Sequence, residues 1–150
     1  MIRKIVPDVI SGVQDLATAS AHMTVRDAAQ TMAQRRIGAL MVIEGARLVG
    51  IFTERDLLSK VVAQRKDPDA VRVGDVMTRD PDTIGPDETA FAALGMMRRR
   101  GYRHLPVLDR GQLIGMVSVR DLYATALGEI EEDLKERDAF ISGSAGYGLT

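Results

Sequence analysis

The sequence predicts an α/β protein made of two like units of order β-α-β-β-α, related by pseudo-two-fold symmetry and followed by a C-terminal helix. Three observations carry this. First, the chain repeats itself 65 residues apart: Thr24 to Leu58 lies over Thr89 to Tyr123 without a gap, with eleven identities in 35 positions. Such a repeat governs the reading of everything else. Second, the hydrophobic period changes in the same order within each copy, from helical spacing to short apolar runs. Third, the 150 residues suit one compact domain, so each copy alone is marginal in size and the two should share a core.

The first unit is expected over 10–64 and the second over 73–128, with a linker at 65–72 that contains Pro68. A short strand is expected around Thr18 and, in the same register, Thr83. A helix follows from Thr24, with Val25, Ala28, Ala29 and Met32 at helical spacing. Thr24 and Asp27 fit a capping box. In the second copy Thr89 keeps the cap position, and Asp87 and Glu88 favour the same helix start through the dipole. Two short apolar runs then flank Glu44-Gly45-Ala46, and two more flank Asp109-Arg110-Gly111. Each pair reads as a β-hairpin. The second helices start at Thr53-Glu54-Arg55-Asp56 and Ser118-Val119-Arg120-Asp121, a hydroxyl followed by an acid. Residues 129–141 are expected to form an acidic amphipathic helix, with six acids and two bases over 129–138. Residues 142–150, rich in Gly and Ser, are expected to be a disordered tail.

Composition excludes several classes. Apolar content of 45% and charged content of 27% are ordinary for a soluble globular protein. A net charge of −1 gives no basic field, which argues against nucleic acid as partner. The absence of cysteine removes disulfides and thiolate metal sites. The N-terminus has no apolar signal region, and the longest apolar run, Ile37 to Ile43, is too short to span a bilayer. A cytoplasmic protein without membrane contact is the expectation. The catalytic inventory is thin. Neither His22 nor His104 has metal-ligand spacing, and no nucleophile elbow or Walker loop is present. Neither an enzyme nor a metal site is expected.

The hydroxyl-x-Arg-Asp step at 53–56 and 118–121 stands out. One reading is an N-cap with a first-turn acid. The other is a ribonucleotide site: the helix start and the Thr53 or Ser118 hydroxyl face a phosphate, and Asp56 or Asp121 accepts from a ribose diol. Recurrence at matching points raises the second reading without removing the first. Arg55 and Arg120 fit surface charges first, and each is also within reach of a phosphate.

With these segments in order and duplicated, the chain resembles a tandem pair of CBS domains, named after cystathionine β-synthase and often called a Bateman module. The resemblance rests on Thr24-Val25-Arg26-Asp27-Ala28, on Leu48 through Leu57, on Gly101 through Val107 and on Leu113 through Leu122. It implies small three-stranded sheets packed in pseudo-two-fold fashion, with clefts that bind adenosine-containing ligands: AMP foremost, with ADP, ATP, NAD and S-adenosylmethionine as others. It implies a regulatory, signal-transducing role without catalysis, a homodimer forming a disc of four units, and an effector protein that the sequence does not name. The alternative is a protein-interaction scaffold with vestigial sites. Carried over by position, the first site would use Thr18, the strand backbone at Gly38, Ala39 and Leu40, then Thr53, Arg55 and Asp56. The second would use Thr83, Tyr102, Arg103, His104 and Pro106, then Ser118, Arg120 and Asp121. His104 also fits a partly buried hairpin residue. The first copy has Met41 where the second has Pro106, and Gly38-Ala39 where the second has Arg103-His104. Unequal sites follow: the second is expected to prefer a more anionic ligand or to bind more tightly, and the first to bind weakly, to take a larger ligand or to stay empty.

Overall fold

The structure is a computed structural model that describes residues 2–148, with side chains through 142. It consists of two α/β repeats whose small sheets pack against each other. In the first repeat, β1 (Thr18–Ala19) runs parallel to β2 (Ala39–Glu44). The hairpin partner β3 (Arg47–Thr53) is antiparallel to β2, and β4 (Thr78–Arg79) adds to its far edge. Helix α1 (Val25–Arg35) covers one face. After β3 the chain enters α2 (Glu54–Asp56), which widens into a π-type turn over Leu57–Val62. The short α3 (Val73–Val76) precedes β4. The second repeat holds α4 (Ala90–Arg100), the hairpin β5 (His104–Asp109) and β6 (Gln112–Ser118), and α5 (Val119–Gly148).

The repetition extends to detail. Both hairpins carry a bulge at the same point, after Val42 and after Val107. Thr24 accepts the Asp27 N–H at 3.2 Å and Thr89 accepts the Ala92 N–H at 3.0 Å, so both helix caps form. The cores match position by position, with Met32 over Met97 and Leu40 over Leu105. Where they differ, volume is conserved: Phe52 with Ala19 in the first core answers Val117 with Ile84 in the second.

Three expectations need correction. The sheets are not three-stranded alike. The first has four strands, and the second has two plus a parallel bridge from Ile84 to Val107 where a strand at Thr83 was expected. With one bridge, the second copy's lead strand makes the same contact but no run of ladder bonds. The helix at 129–141 is not a separate element, because α5 runs unbroken from Val119 and includes it. Over 129–141 four glutamates with Leu134, Lys135, Arg137 and Ala139 favour helix and no proline interrupts it, so the helix continues. The tail expected from 142 begins within this same helix. Its side chains from 143, and residues 149–150 altogether, lie outside the described residues.

The repeats join by exchanging segments. Each repeat's lead segment closes the other repeat. Val73, Val76 and Met77 open the second repeat in sequence, yet they pack in the first core. Ile5 and Ile10 lie at the entry to the first repeat, yet they pack in the second core. The backbone repeats the exchange: the Val73 N–H donates to the Met23 carbonyl (2.8 Å) and the Ile5 N–H to the Glu88 carbonyl (2.8 Å), two carbonyls 65 residues apart. This exchange requires glycine at Gly50, against backbone, and brings flexible side-chain ends close to Gly115 at the matching point. A Cβ at Gly50 would lie 2.9 Å from the Thr78 carbonyl oxygen, and one at Gly115 would lie 2.7 Å from the Ile10 side chain. A third, smaller apolar cluster, Ala39, Met41 and Ile51 with Leu16, Leu113 and Met116, glues sheet to sheet.

Candidate functional site

The exchange brings the β3–α2 junction of the first repeat against the α4–β5 junction of the second. Between them lies a cleft of about 570 Å³, within the roughly 300–1,000 Å³ usual for small-molecule sites. Its walls are Gly38, Thr53 to Asp56, Thr78 with Asp80 to Asp82, and Arg100 to His104. The cleft therefore joins halves of the two sites expected from sequence: Thr53, Arg55, Asp56 and Gly38 from one, Tyr102, Arg103 and His104 from the other. Alignment along the chain pairs residues within a repeat, whereas the two-fold packing pairs them across repeats. Thr18, Ala39, Leu40, Pro106, Ser118, Arg120 and Asp121 lie outside this lining. Leu40 is fully buried in the first core. Thr83 lines a separate, shallower depression with Arg47 and Leu108. Thr78, Asp80 and Asp82 were not singled out in the sequence. Their only signal was the turn-rich Asp80-Pro81-Asp82, which says nothing of the distant Thr53.

Asp56 organises the first-repeat wall. It is 5% exposed, and every oxygen has a donor. Oδ2 accepts from the Thr53 N–H at 3.0 Å and from the Thr53 hydroxyl at 3.2 Å. Oδ1 accepts from the Thr78 hydroxyl at 3.3 Å and sits 2.9 Å from Lys60 Nζ. The Asp56 N–H in turn donates to Thr53 Oγ1 at 3.1 Å, which completes a capping box. The cap reading is thus realised, and it coexists with a place in the cleft. The two hydroxyl contacts are long for O–H···O bonds, whose usual length is about 2.7–2.8 Å. They are the longest of its contacts, while Lys60 and the backbone hold the carboxylate in place.

The second-repeat wall is a hydrogen-bonded brace. The Tyr102 hydroxyl donates to Asp82 Oδ2 at 2.8 Å, and Arg100 lies 3.7 Å from the same oxygen. Burial and then the bond to Asp82 push the Tyr102 phenol up to about 12, so it stays protonated and fixed as a donor. Arg55 reaches across the mouth and donates to the Gly101 carbonyl at 2.9 Å. Three arginines, Arg55, Arg100 and Arg103, therefore line the cleft together with the acids Glu54, Asp56, Asp80 and Asp82. The helix dipole adds little, because α2 has only three residues before it widens.

His104 stacks close to Gly38, where a Cβ would lie 3.2 Å from its Cε1. Burial lowers its pKa; Glu54 and Asp121 pull it up and Arg103 pushes it down. A depressed folded pKa means the unfolded chain takes the proton first. Stability from this group is full above the unfolded value of 6.5 and is lost as pH falls below it. Melting temperatures between pH 7.5 and 5.5 should decline with an excess slope that His104→Gln removes. Equal slopes in both proteins would contradict this.

Among the described residues, no group of three or more His, Cys, Asp or Glu is placed to hold a metal ion, and no helix is long and apolar enough to cross a membrane.

A duplicated α/β unit with reciprocal lead segments and a polar cleft at the joint defines the class of protein. The CBS domain model matches residues 7–63 and 73–128, and the chain belongs to the CBS domain family. It is 37% identical over 125 residues to the mitochondrial CBS domain-containing protein CBSX3 of Arabidopsis thaliana, covering 80% of this chain and 61% of that longer relative. Among solved structures, a protein with CBS domains from Burkholderia ambifaria is 38% identical with a TM-score of 0.73, covering 75% of this chain and 83% of its own. A CBS domain protein from Pyrobaculum aerophilum, complexed with AMP, is 28% identical with a TM-score of 0.70, covering 80% and 89%.

Proposed function

We propose that the chain is a non-catalytic regulatory module that binds an adenosine nucleotide, AMP above others, in the cleft between its repeats. The observation that carries this reading is the buried Asp56 carboxylate, set beside exchangeable hydroxyl donors and facing three arginines across a volume of nucleotide size. The Pyrobaculum relative with AMP supports the choice of ligand. In this reading Asp56 takes the ribose diol, Thr53 and the arginines take the phosphate, and Tyr102 walls the base. The acids Glu54, Asp80 and Asp82 share the cleft with those arginines, so the lining suits one phosphate better than three. The proposal includes a homodimer, because Leu58, Val62, Phe91, Tyr123 and Leu127 are left 48–64% exposed.

The protein-interaction alternative is favoured by one observation, the exposed apolar stripe of Leu127, Ile130, Leu134 and Ile141 along α5. A nucleotide panel separates the two. AMP at about 100 times its dissociation constant should stabilise the chain by about 2.7 kcal/mol, a rise in melting temperature of roughly 5–10 °C. ATP should shift it less. No shift with AMP, ADP, ATP or NAD would favour the interaction module.

A further inference from the structure

We propose that each chain carries a single nucleotide, in the Thr53–Asp56 cleft, and that the pseudo-symmetric twin of this cleft is closed by core side chains. The inference rests on the nucleotide reading above and adds which of the two related positions is used.

The twin can be located. Subtracting the 65-residue offset from the second-repeat wall of the open cleft, and adding it to the first-repeat floor, leads to a cavity lined by Leu16, Ala17, Ile37, Ala39 and Met116, with Asp15 and Arg35 beside them. Its volume is about 70 Å³ against about 570 Å³ for the open cleft. That is below the roughly 300 Å³ at which ligand sites begin. It has room for about two waters at roughly 30 Å³ each.

The substitutions that close it are specific. Tyr102, His104 and Asp82 in the open cleft have Ile37, Ala39 and Ala17 as counterparts, so these three polar groups are replaced by hydrocarbon, while Asp80 and Arg100 keep Asp15 and Arg35 as theirs. Ile51 on the floor has Met116 as its counterpart, a longer side chain that fills the space. Ala39 and Met41 there are each 1% exposed and belong to the cluster that glues the sheets, together with Leu16 and Met116. Opening the twin would therefore separate the repeats, which an adenine ring entering the open cleft does not require.

The carboxylates diverge in the same way. Asp121 accepts the Ser118 N–H at 3.2 Å, and its own N–H donates to Ser118 Oγ at 3.1 Å. Those bonds complete the cap of α5. The partners that fix Oδ1 of Asp56, Lys60 and Thr78, have Thr125 and Val13 as counterparts, which supply no cation. Val13 is 80% exposed and points no donor at Asp121. The duplication has thus kept the cap in both copies and the site in one.

Calorimetric titration of AMP into the wild-type chain, Asp56→Ala and Asp121→Asn tests this. The expected result is one AMP per chain, an affinity within about twofold of wild type for Asp121→Asn, and a loss of at least thirtyfold for Asp56→Ala. Two AMP per chain would overturn the single-site inference and leave the nucleotide reading standing, as would one AMP per chain lost on Asp121→Asn. No binding to the wild-type chain would overturn the nucleotide reading, and this inference with it.

Discussion

A chain beginning at Gln14 should lose the fold of its second repeat, although every residue of that repeat is still present. The removed segment inserts Ile5, fully buried, and Ile10, 5% exposed, into the second core. Truncating one buried isoleucine to alanine costs about 2–5 kcal/mol. Losing both side chains thus approaches the whole stability of an ordinary domain, about 5–15 kcal/mol. The deletion also removes the strand-like bonds from Ile5 and Val6 to Glu88 and Pro86, and from Ala90 to Arg3. Glu129, only 7% exposed, would lose the Arg3 N–H at 3.3 Å, and Glu132 would lose its ion pair with Arg3. Amide spectra should show the second repeat's resonances collapse, and the cooperative melt should broaden or vanish. The single change Ile5→Ala is the milder version, with an expected cost of about 2–5 kcal/mol. A truncated chain that melts within a few degrees of the full one would show that the exchanged segments contribute little.

Asp56→Ala should abolish measurable AMP binding while leaving a folded protein. A diol held by one carboxylate makes two hydrogen bonds to a charged group, each contributing about 1.5–3 kcal/mol. Their loss amounts to roughly 10²–10⁴ in affinity at 1.4 kcal/mol per tenfold. The structural cost is smaller. The substitution breaks the capping box and leaves Lys60 without its carboxylate, but the Lys60 side chain is 43% exposed and keeps the Val76 carbonyl at 3.0 Å. The cap itself contributes about 1 kcal/mol. A melting curve beside the titration separates the two effects. Unchanged affinity in a well-folded Asp56→Ala chain would remove Asp56 from the site.

What the sequence showed and what it hid follow from the range of the interactions. Hairpins, caps and helix order are local, and each left a local mark: Thr24 and Thr89 before apolar runs, Gly45 and Gly111 at the turns. The identity of Gly50 and Gly115 was visible, but its reason was not, because the atoms that exclude a Cβ belong to Met77, Thr78, Gln14 and Ile10. The exchange of lead segments depends on contacts across the joint, which a repeat alignment does not encode. For the same reason Thr53 and Asp56 were grouped with Gly38, Ala39 and Leu40 instead of with Tyr102 and His104. Asp82 escaped notice because its role exists only once the Tyr102 hydroxyl is beside it. The change in charge near Glu129 hides the continuity of α5, because helix propensity does not change there.

The central claim is that one adenosine nucleotide sits between the repeats with its ribose on Asp56. The most direct measurement is a crystal structure of the chain grown with AMP. The ribose hydroxyls should lie within hydrogen-bonding distance of the Asp56 carboxylate, with the Thr53 and Thr78 hydroxyls displaced from it and the phosphate near Arg55 or Arg103. AMP bound against Asp121, or a cleft left empty at saturating AMP, would contradict the account.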